Sequence, residues 1–188
     1  MSAWEIAGTA LGVLGVWLMI RRNLWAFPVG MAQVVIFGWV CYGQRLYSET
    51  VLQAMFFAAL AHGWWHWRHP EAGRTERPVG TLPPRARAAW VGGTLLLWLA
   101  WGTVMHRATD AALPYADAFV FAASVASQWL QARKLLENWP GWLVANTAAV
   151  AVFTVKELYL FAGLYAGFWV MAVWGWCEWR RSREAAAA

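Results

Sequence analysis

Charged residues are scarce in this sequence of 188 residues: they make up 13% of it, whereas hydrophobic residues make up 61%. Soluble domains carry about 25% charged residues, so this chain has too few charges to cover a surface that faces water. The two cysteines, Cys41 and Cys177, both lie inside apolar stretches, which excludes a disulfide framework and a cysteine-based metal site. The chain also lacks a nucleotide-binding Gly-rich loop, a paired-His zinc motif and a nucleophile elbow, which excludes a primary pump.

Long apolar stretches dominate the sequence instead. A membrane-spanning helix needs about 20 mostly apolar residues, with a working range of roughly 17 to 25. The sequence therefore predicts an all-α integral membrane protein with seven transmembrane helices, at residues 4–20, 26–44, 49–67, 88–105, 115–132, 139–155 and 158–179.

Lys and Arg residues are unevenly distributed over the predicted loops. Twelve of the fifteen fall on one side of the membrane if the N-terminus is outside, and the long connection at 69–87 also holds four of the seven prolines. Because basic residues accumulate in cytoplasmic loops, this distribution predicts an outside N-terminus and a cytoplasmic C-terminus. The topology accounts for the sequence pI of about 9.7, so the positive charge gives no reason to expect a nucleic-acid partner.

The sequence contains an internal repeat. A shift of 112 residues aligns residues 5–68 with 117–180 without a gap and gives 17 identities in 64 positions. Apolar composition alone does not place rare residues at turns in register. The identical pairs include Trp17/Trp129, Arg21/Arg133, Pro28/Pro140, Tyr47/Tyr159, Phe56/Phe168, Gly63/Gly175, Trp67/Trp179 and Arg68/Arg180.

The repeat predicts how the helices are organised. Each copy has three helices, and one further helix between the copies makes them parallel, with a permeation path between them. The expected arrangement is three-plus-one-plus-three: a first repeat at 1–68, a cytoplasmic linker at 69–87, an inversion-linker helix at 88–105, a second repeat at 115–180 and a cytoplasmic tail at 181–188.

Few polar residues lie deep in the predicted helices, and none of the deep ones is a carboxylate. Polar groups at this depth either face a cavity or only tie helices together. Interleaved amides and aromatic rings suit a planar, hydrogen-bonding small molecule, including a cationic one. The predicted binding residues are Gln33, Gln53, Phe57, Ser124, Gln128, Trp142, Asn146, Tyr165 and Trp169.

Three histidines have a spacing that can place a metal on one helix face: His62, His66 and His69. No carboxylate or cysteine completes the ligand set nearby, so we expect neither a metal nor another cofactor. A membrane-embedded enzyme or sensor would have to use His62 and His66 with Glu178. A helical scaffold for partner proteins is the third alternative, and it predicts no small-molecule binding.

The chain resembles the PnuC-type vitamin transporters of bacterial inner membranes over nearly its whole length. The resemblance is carried by "WEIAGTALGVL", "FPVGMAQVVIFG" and "LYSETVLQAMFFAALAHGWWHW" in the first half, and by "DAFVFAASVASQWLQARKLLENWPGWLVAN" and "KELY" in the second. Its most specific part is the stretch with Trp139, a second Trp at 142 and Asn146.

That resemblance implies a fold similar to the SWEET sugar transporters, with the ligand between the repeats. It implies facilitated diffusion of nicotinamide riboside, which a cytoplasmic kinase then traps by phosphorylation without forming a stable complex. It also leaves thiamine, riboflavin or another nucleoside-like vitamin open as the substrate. The expected partners are thus a small-molecule vitamin, the lipid bilayer of the inner membrane and, from the relatives, further copies of the chain.

Overall fold

The computed structural model describes residues 3–43, 47–70, 76–110 and 112–187. The described residues form seven helices: α1 (Ala3–Ile20), α2 (Ala26–Gly43), α3 (Tyr47–Arg68), α4 (Pro84–Ala108), α5 (Pro114–Ala132), α6 (Asn138–Val155) and α7 (Tyr159–Ala187). They coincide with the seven predicted stretches apart from shifts at their ends. Gln44, where the second predicted stretch ends, lies outside the described residues, as do residues 71–75 of the predicted linker and both chain ends.

Two helix ends extend well beyond their predicted positions. Helix α4 begins at Pro84 because proline fits the first turn of a helix, where its missing N–H costs no hydrogen bond. Helix α7 continues through the predicted tail to Ala187. The side chains of Arg180 and Glu184, one turn apart, form an ion pair of 2.9 Å there, and the alanines that follow favour the helix.

Three of the helices are long and apolar enough to cross a membrane by length and composition alone: Ala26–Gly43, Pro84–Ala108 and Tyr159–Ala186. A fourth, Ile6–Ile20, is apolar but shorter. Helix α3 is less hydropathic because it carries Glu49, Gln53 and three histidines, and α5 is less hydropathic because it carries serines and glutamines. Most polar side chains of α5 are buried inside the protein, so its amphipathic sequence is compatible with a position among other helices.

Six of the helices contact their neighbours in a closed ring, in the order α1, α2, α3, α5, α6, α7 and back to α1. Helix α4 lies outside the ring, and among the described helices its close backbone contacts are with α5. Within the described residues, no Cα atoms of helices on opposite sides of the ring come within 8 Å of each other. The ring therefore has an interior that side chains of opposite helices share.

The turns after α1 and α5 have the same conformation. Arg22 and Lys134, which are 112 residues apart, adopt left-handed backbone conformations with φ angles of 55° and 58°. In each turn the next residue donates its N–H to a carbonyl five residues earlier, Asn23 to Leu18 and Leu135 to Leu130. This is the Schellman ending of a helix, which normally uses glycine at the left-handed position.

One end of the ring is closed by an aromatic cluster, the tryptophan cluster, which consists of Phe27, Trp67, Trp139 and Trp179. Phe27 meets Trp67 edge to face with ring centroids 5.0 Å apart, and Trp139 meets Trp179 in the same way at 5.4 Å. These two pairs are related by the 112-residue shift. We call this end of the molecule, where α1, α3, α5 and α7 run towards their C-termini, the tryptophan end.

Two glycines make room for the cluster. A Cβ atom on Gly63 would lie 2.6 Å from the Phe27 ring and 3.0 Å from the backbone of Ala132. A Cβ atom on Gly175, which is again 112 residues away, would overlap the ring of Trp139. Small residues at helix contacts let backbones approach closely, so each glycine sets the distance between its helix and an aromatic ring.

Candidate functional site

The ring interior contains an aromatic contact between α3 and α6. The rings of Phe56 and Trp142 meet edge to face with centroids 6.1 Å apart. One turn away, towards the end opposite the tryptophan cluster, α3 carries Gln53 and α6 carries Asn146. Both amides are more than nine-tenths buried. Since α3 and α6 run in opposite directions, the two amides lie on the same side of the Phe56–Trp142 contact.

Helix α5 adds two buried polar side chains, Ser124 and Gln128, one turn apart on the same face. Gln128 is at the depth of Trp142, because its neighbour Ser127 packs directly against Gly141. Among the described residues, none accepts a hydrogen bond from Nε2 of Gln128, although that atom is fully buried. A buried donor without an acceptor is costly, so this amide is suited to bind an acceptor group that enters the site.

A second group of predicted residues lies on the α1, α2 and α7 side of the ring. Gln33 and Phe168 both pack beside Gly12 of α1. Tyr165 meets Phe168 edge to face, with ring centroids 6.0 Å apart, and also lies beside Phe153 at 5.2 Å. Gln33 and Tyr165 are half-buried. The predicted residues thus form two groups on facing sides of the ring.

The structure does not bring Phe57 and Trp169 into either group. Their side chains are 42% and 41% exposed. The preceding residues contact other helices instead: Phe56 meets the Trp142 ring of α6, and the Phe168 ring lies beside Gly12 of α1. Phe56 and Phe168 are identical in the two repeats, whereas the residues at 57 and 169 differ. Identity between the two copies was therefore the signal in the sequence that distinguished the aromatic residues in contact with other helices.

Charges lie at the far end from the tryptophan cluster. Lys156, in the turn after α6, donates to both carboxylate oxygens of Asp117 at 2.7 and 2.8 Å. The pair ties the first turn of α5 to the end of α6. In the part of the chain that the structure describes, no Asp or Glu is among the buried polar residues. The polar groups that flank Trp142 are amides and a hydroxyl, which carry no charge.

Two grooves beside α4 lie outside the ring, with volumes of about 270 and 400 Å³. The first is lined mainly by Trp90, Thr94, Leu97 and Val125, and the second by residues of α4, α5 and α6 such as Trp98. None of the predicted binding residues lines either groove. Ligand sites need a few placed polar groups to fix orientation, so these nearly apolar grooves suit lipid chains better than a polar solute.

Comparison with known proteins identifies the family. The family model described as "Nicotinamide mononucleotide transporter" matches residues 2–181. The chain belongs to the nicotinamide mononucleotide transporter family. It is an all-α integral membrane transporter and not an enzyme, which removes the alternative that His62 and His66 act in catalysis with Glu178. Among the described residues, no group of three or more His, Cys, Asp and Glu is arranged to hold a metal ion.

Two relatives differ in the substrates that their names state. The nicotinamide riboside transporter PnuC of Escherichia coli strain K12 is 25% identical over 184 residues, covering 85% of this chain and 77% of the relative. The riboflavin/roseoflavin transporter RibM of Streptomyces davaonensis is 29% identical over 190 residues, covering 96% of this chain and 86% of the relative.

The fold is also that of a solved transporter. A crystal structure of the vitamin B3 transporter PnuC superimposes with a TM-score of 0.77 at 20% sequence identity. The alignment covers 95% of this chain and 81% of that protein. The seven-helix arrangement described above is therefore shared with a transporter of known structure.

Proposed function

We propose that this protein carries nicotinamide riboside across the bacterial inner membrane by facilitated diffusion. The observation that carries the proposal is the buried Nε2 donor of Gln128, which has no acceptor among the described residues and lies at the depth of Trp142. Nicotinamide riboside offers acceptors in its carboxamide oxygen and its ribose hydroxyls. A solute of this kind would satisfy the donor that the protein leaves unpaired.

The surrounding side chains fit the rest of the molecule. A cationic pyridinium ring is attracted to the face of Trp or Phe, so Trp142 and Phe56 are the proposed ring contacts. Gln53, Asn146 and Ser124 are the proposed partners of the carboxamide and the ribose. On the facing side of the helix ring, Gln33 and Tyr165 are the proposed hydrogen-bond partners of the solute in a conformation in which the path is narrower. Phe57 and Trp169 are proposed to contact substrate only in a conformation that turns their helices inward.

Transport without ion coupling follows from the chemistry of the same groups. Proton relays within membranes rely on carboxylates or histidines placed deep in the bundle. The proposed site uses amides, a hydroxyl and aromatic rings, and Asp117 is already paired with Lys156 at one end of the helices. We propose that the two repeats rock against each other around this site. Uptake that stops when an uncoupler dissipates the proton gradient, with the kinase supplied, would contradict uniport.

Net accumulation then requires a step after entry. Phosphorylation of the nucleoside adds negative charge, and the amide-rich site offers no cation to compensate it. We propose a cytoplasmic kinase as the functional partner, without a stable complex. The expected orientation places the N-terminus outside and the tryptophan end at the cytoplasm, because most Lys and Arg residues lie at that end. Thiol labelling of Cys177, near that end on α7, from each side of the membrane tests the orientation.

Riboflavin is the second candidate substrate, favoured by the 29% identity with the riboflavin/roseoflavin transporter RibM over almost the whole chain. Its tricyclic ring is also planar and hydrogen-bonding, but it is larger and uncharged. The proposed aromatic contacts accept either ring, whereas cation–π attraction favours only the pyridinium. Thiamine, which carries a cationic ring as well, is the third vitamin whose binding should be measured.

Calorimetric titration of the purified protein tests the proposal, with nicotinamide riboside, riboflavin and thiamine in separate runs. We expect nicotinamide riboside to bind most tightly and to drive uptake into proteoliposomes. Tighter binding of riboflavin would replace the first candidate with the second. Binding of none of the three by a folded protein would contradict a vitamin carrier of this kind.

A further inference from the structure

A segment between α3 and α4 crosses from one repeat to the other at the tryptophan end. We call residues 76–82 the strap. Gly80 of the strap pairs with the turn between α5 and α6: its N–H donates to the carbonyl of Lys134 at 3.0 Å, and its carbonyl accepts from the N–H of Leu136 at 2.9 Å. Val79, beside it, is buried in the core. The strap is thus attached to the second repeat by backbone hydrogen bonds and by a buried side chain.

Side chains fasten the strap further. Lys134, whose side chain is almost fully buried, pairs with Glu76 and lies over the Trp67 ring at 4.5 Å from its centroid. The backbone N–H of Leu82 donates to Glu137 Oε1 at 3.0 Å, and Arg87 at the start of α4 donates to the same oxygen at 2.9 Å.

The strap is also fixed to the first repeat. Arg77 donates to the carbonyls of His66 and His69, at the end of α3, at 3.2 and 3.3 Å. Trp67 of α3 donates its indole N–H to the carbonyl of Ala132, the last residue of α5, at 3.1 Å. The α3–α5 edge of the ring is therefore held by the strap, by an ion pair and by an indole hydrogen bond.

In the part of the chain that the structure describes, no segment bridges the opposite edge of the ring, between α7 and α1, as the strap bridges the α3–α5 edge. At the α1–α7 edge the indole N–H of Trp179 donates to the carbonyl of Met19 at 3.1 Å, one residue before Ile20, which is the repeat equivalent of Ala132. The turn after α1 has the same backbone form as the strapped turn, but within the described residues its backbone hydrogen bonds all remain inside the turn and its flanking helices. Helix α7 simply continues past Trp179 to Ala187. The α3–α5 and α1–α7 edges are equivalent in the repeat, but the strap and its ion pair hold the first edge alone among the described residues.

We infer that the strapped α3–α5 edge is a hinge and that the α1–α7 edge is the one that parts when the tryptophan end opens. The inference rests on the proposed function, because it concerns the rocking of the two repeats. Opening at α1–α7 breaks one indole hydrogen bond and the packing of the tryptophan cluster. Opening at α3–α5 would in addition separate Lys134 from the Trp67 ring, and it would break either the Arg77 hydrogen bonds to the end of α3 or the Gly80 pairing with the turn after α5. The gate is asymmetric although the helices that form it are related by a repeat.

Crosslinking tests the inference, in a background in which Cys41→Ala and Cys177→Ser remove the native thiols. The pair Met19→Cys with Trp179→Cys bridges the α1–α7 edge with a short bifunctional thiol reagent. The matched pair Ala132→Cys with Trp67→Cys bridges the α3–α5 edge with the same reagent and also removes one tryptophan. A third pair, Gly80→Cys with Leu135→Cys, locks the strap by direct oxidation.

We expect loss of nicotinamide riboside uptake when the α1–α7 pair is bridged, relative to the same variant before the reagent. Bridging the matched pair or the strap pair should leave uptake at its unbridged level. Loss of uptake on bridging either of these two pairs, or full uptake through a bridged α1–α7 edge, would overturn the hinge. If the proposed function itself is wrong, the protein with its native tryptophans will take up no nicotinamide riboside even before any crosslinking, which distinguishes this outcome from failure of the hinge.

A second measurement covers variants that do not transport before bridging. Ala172→Cys places a thiol at a buried position of α7 in the same core cluster as Trp179, and a membrane-impermeant maleimide reports its exposure in inside-out vesicles. Trp179→Phe should accelerate labelling of this thiol, because it removes the indole N–H that holds the α1–α7 edge. Trp67→Phe should not, because the strap still holds its edge. Equal acceleration by both substitutions would overturn the inference.

Discussion

The indole rings of Trp67 and Trp179 pack against each other with centroids 5.7 Å apart, and each donates its N–H to a carbonyl of the other repeat. Both hydrogen bonds are 3.1 Å long. The two residues are 112 positions apart, so they are equivalents in the repeat, and their ring planes are inclined at 58° to each other. A single substitution in either ring therefore disturbs the contact of both repeats at one end of the protein.

Gln128→Met should weaken substrate binding without destabilising the protein. Its buried Nε2 has no partner among the described residues, so an apolar side chain of similar length removes an unsatisfied donor that costs about 1–3 kcal/mol. The substrate would lose one hydrogen bond, worth about 0.5–1.5 kcal/mol. Calorimetry should show a higher Kd, and thermal unfolding in detergent should show an unchanged or higher Tm.

Gln131→Met is the matched control for that experiment. Gln131 lies on the same helix and is equally buried, one turn nearer the tryptophan end. We expect its substitution to leave the Kd unchanged. A Kd that rises equally in both variants would assign the effect to the helix and not to the amide of Gln128.

Asn146→Ala should also weaken binding, because its buried amide lies one turn from Trp142 on the same helix face. Loss of one substrate hydrogen bond of about 1 kcal/mol corresponds to about a fivefold rise in Kd. The control is Thr147→Ala, whose exposed hydroxyl donates to the carbonyl of Leu143 in its own helix at 2.8 Å. An unchanged Kd in Asn146→Ala would argue against its role.

Gly175→Ala should destabilise the protein, because the new methyl group would overlap the buried ring of Trp139. Overpacking of a core costs about 1–3 kcal/mol. On the same helix, a Cβ atom on Gly167 meets no atom within 4 Å, so Gly167→Ala should be neutral or stabilise by about 0.5–1 kcal/mol. Thermal unfolding of both variants compares them directly. A Tm that falls equally in the two would mean that helix α7 tolerates no added methyl group.

The repeat-related turns should respond oppositely to glycine. Arg22→Gly should stabilise the protein by about 1 kcal/mol, because glycine adopts the left-handed conformation without a steric cost. Lys134→Gly relieves the same strain but removes the partner of Glu76 and the cation over Trp67. We expect a lower Tm for this second variant. A higher Tm for both variants would show that the contacts of Lys134 with Glu76 and Trp67 contribute little to the stability of the protein.

Lys134 should also give the stability a pH dependence. Burial lowers the pKa of its ammonium below the ordinary value of 10.5, against an opposing effect of Glu76. The unfolded chain then binds more protons than the folded one between the lowered pKa and the ordinary value, so stability should rise with pH through that window. In Lys134→Met the rise should be smaller, as measured by Tm at a series of pH values. An identical pH profile for both proteins would show that Lys134 is not desolvated in solution.

Helix number and class follow from the sequence because lipid requires long apolar helices, and the seven predicted stretches correspond to α1–α7. The buried amides Gln53, Gln128 and Asn146 were also predicted, since deep polar residues in a membrane helix face inward. The sequence did not distinguish Phe57 and Trp169, which are partly exposed here, from the neighbouring Phe56 and Phe168, because aromatic residues lie on both faces of these helices; their contact with substrate stays a prediction. The pairing of the strap could not be predicted from the sequence, because a proline-rich segment has no periodic pattern that indicates which backbone it pairs with.

The strap also bears on how the two halves come together during synthesis. Residues 76–82 leave the ribosome before the turn that Gly80 pairs with has been made, so the first half is completed with its backbone partner still absent. The pairing of Gly80 with Lys134 and Leu136 forms only when α5 has been inserted beside α3. The register of the second half against the first is thereby set by backbone hydrogen bonds and not by side-chain packing alone.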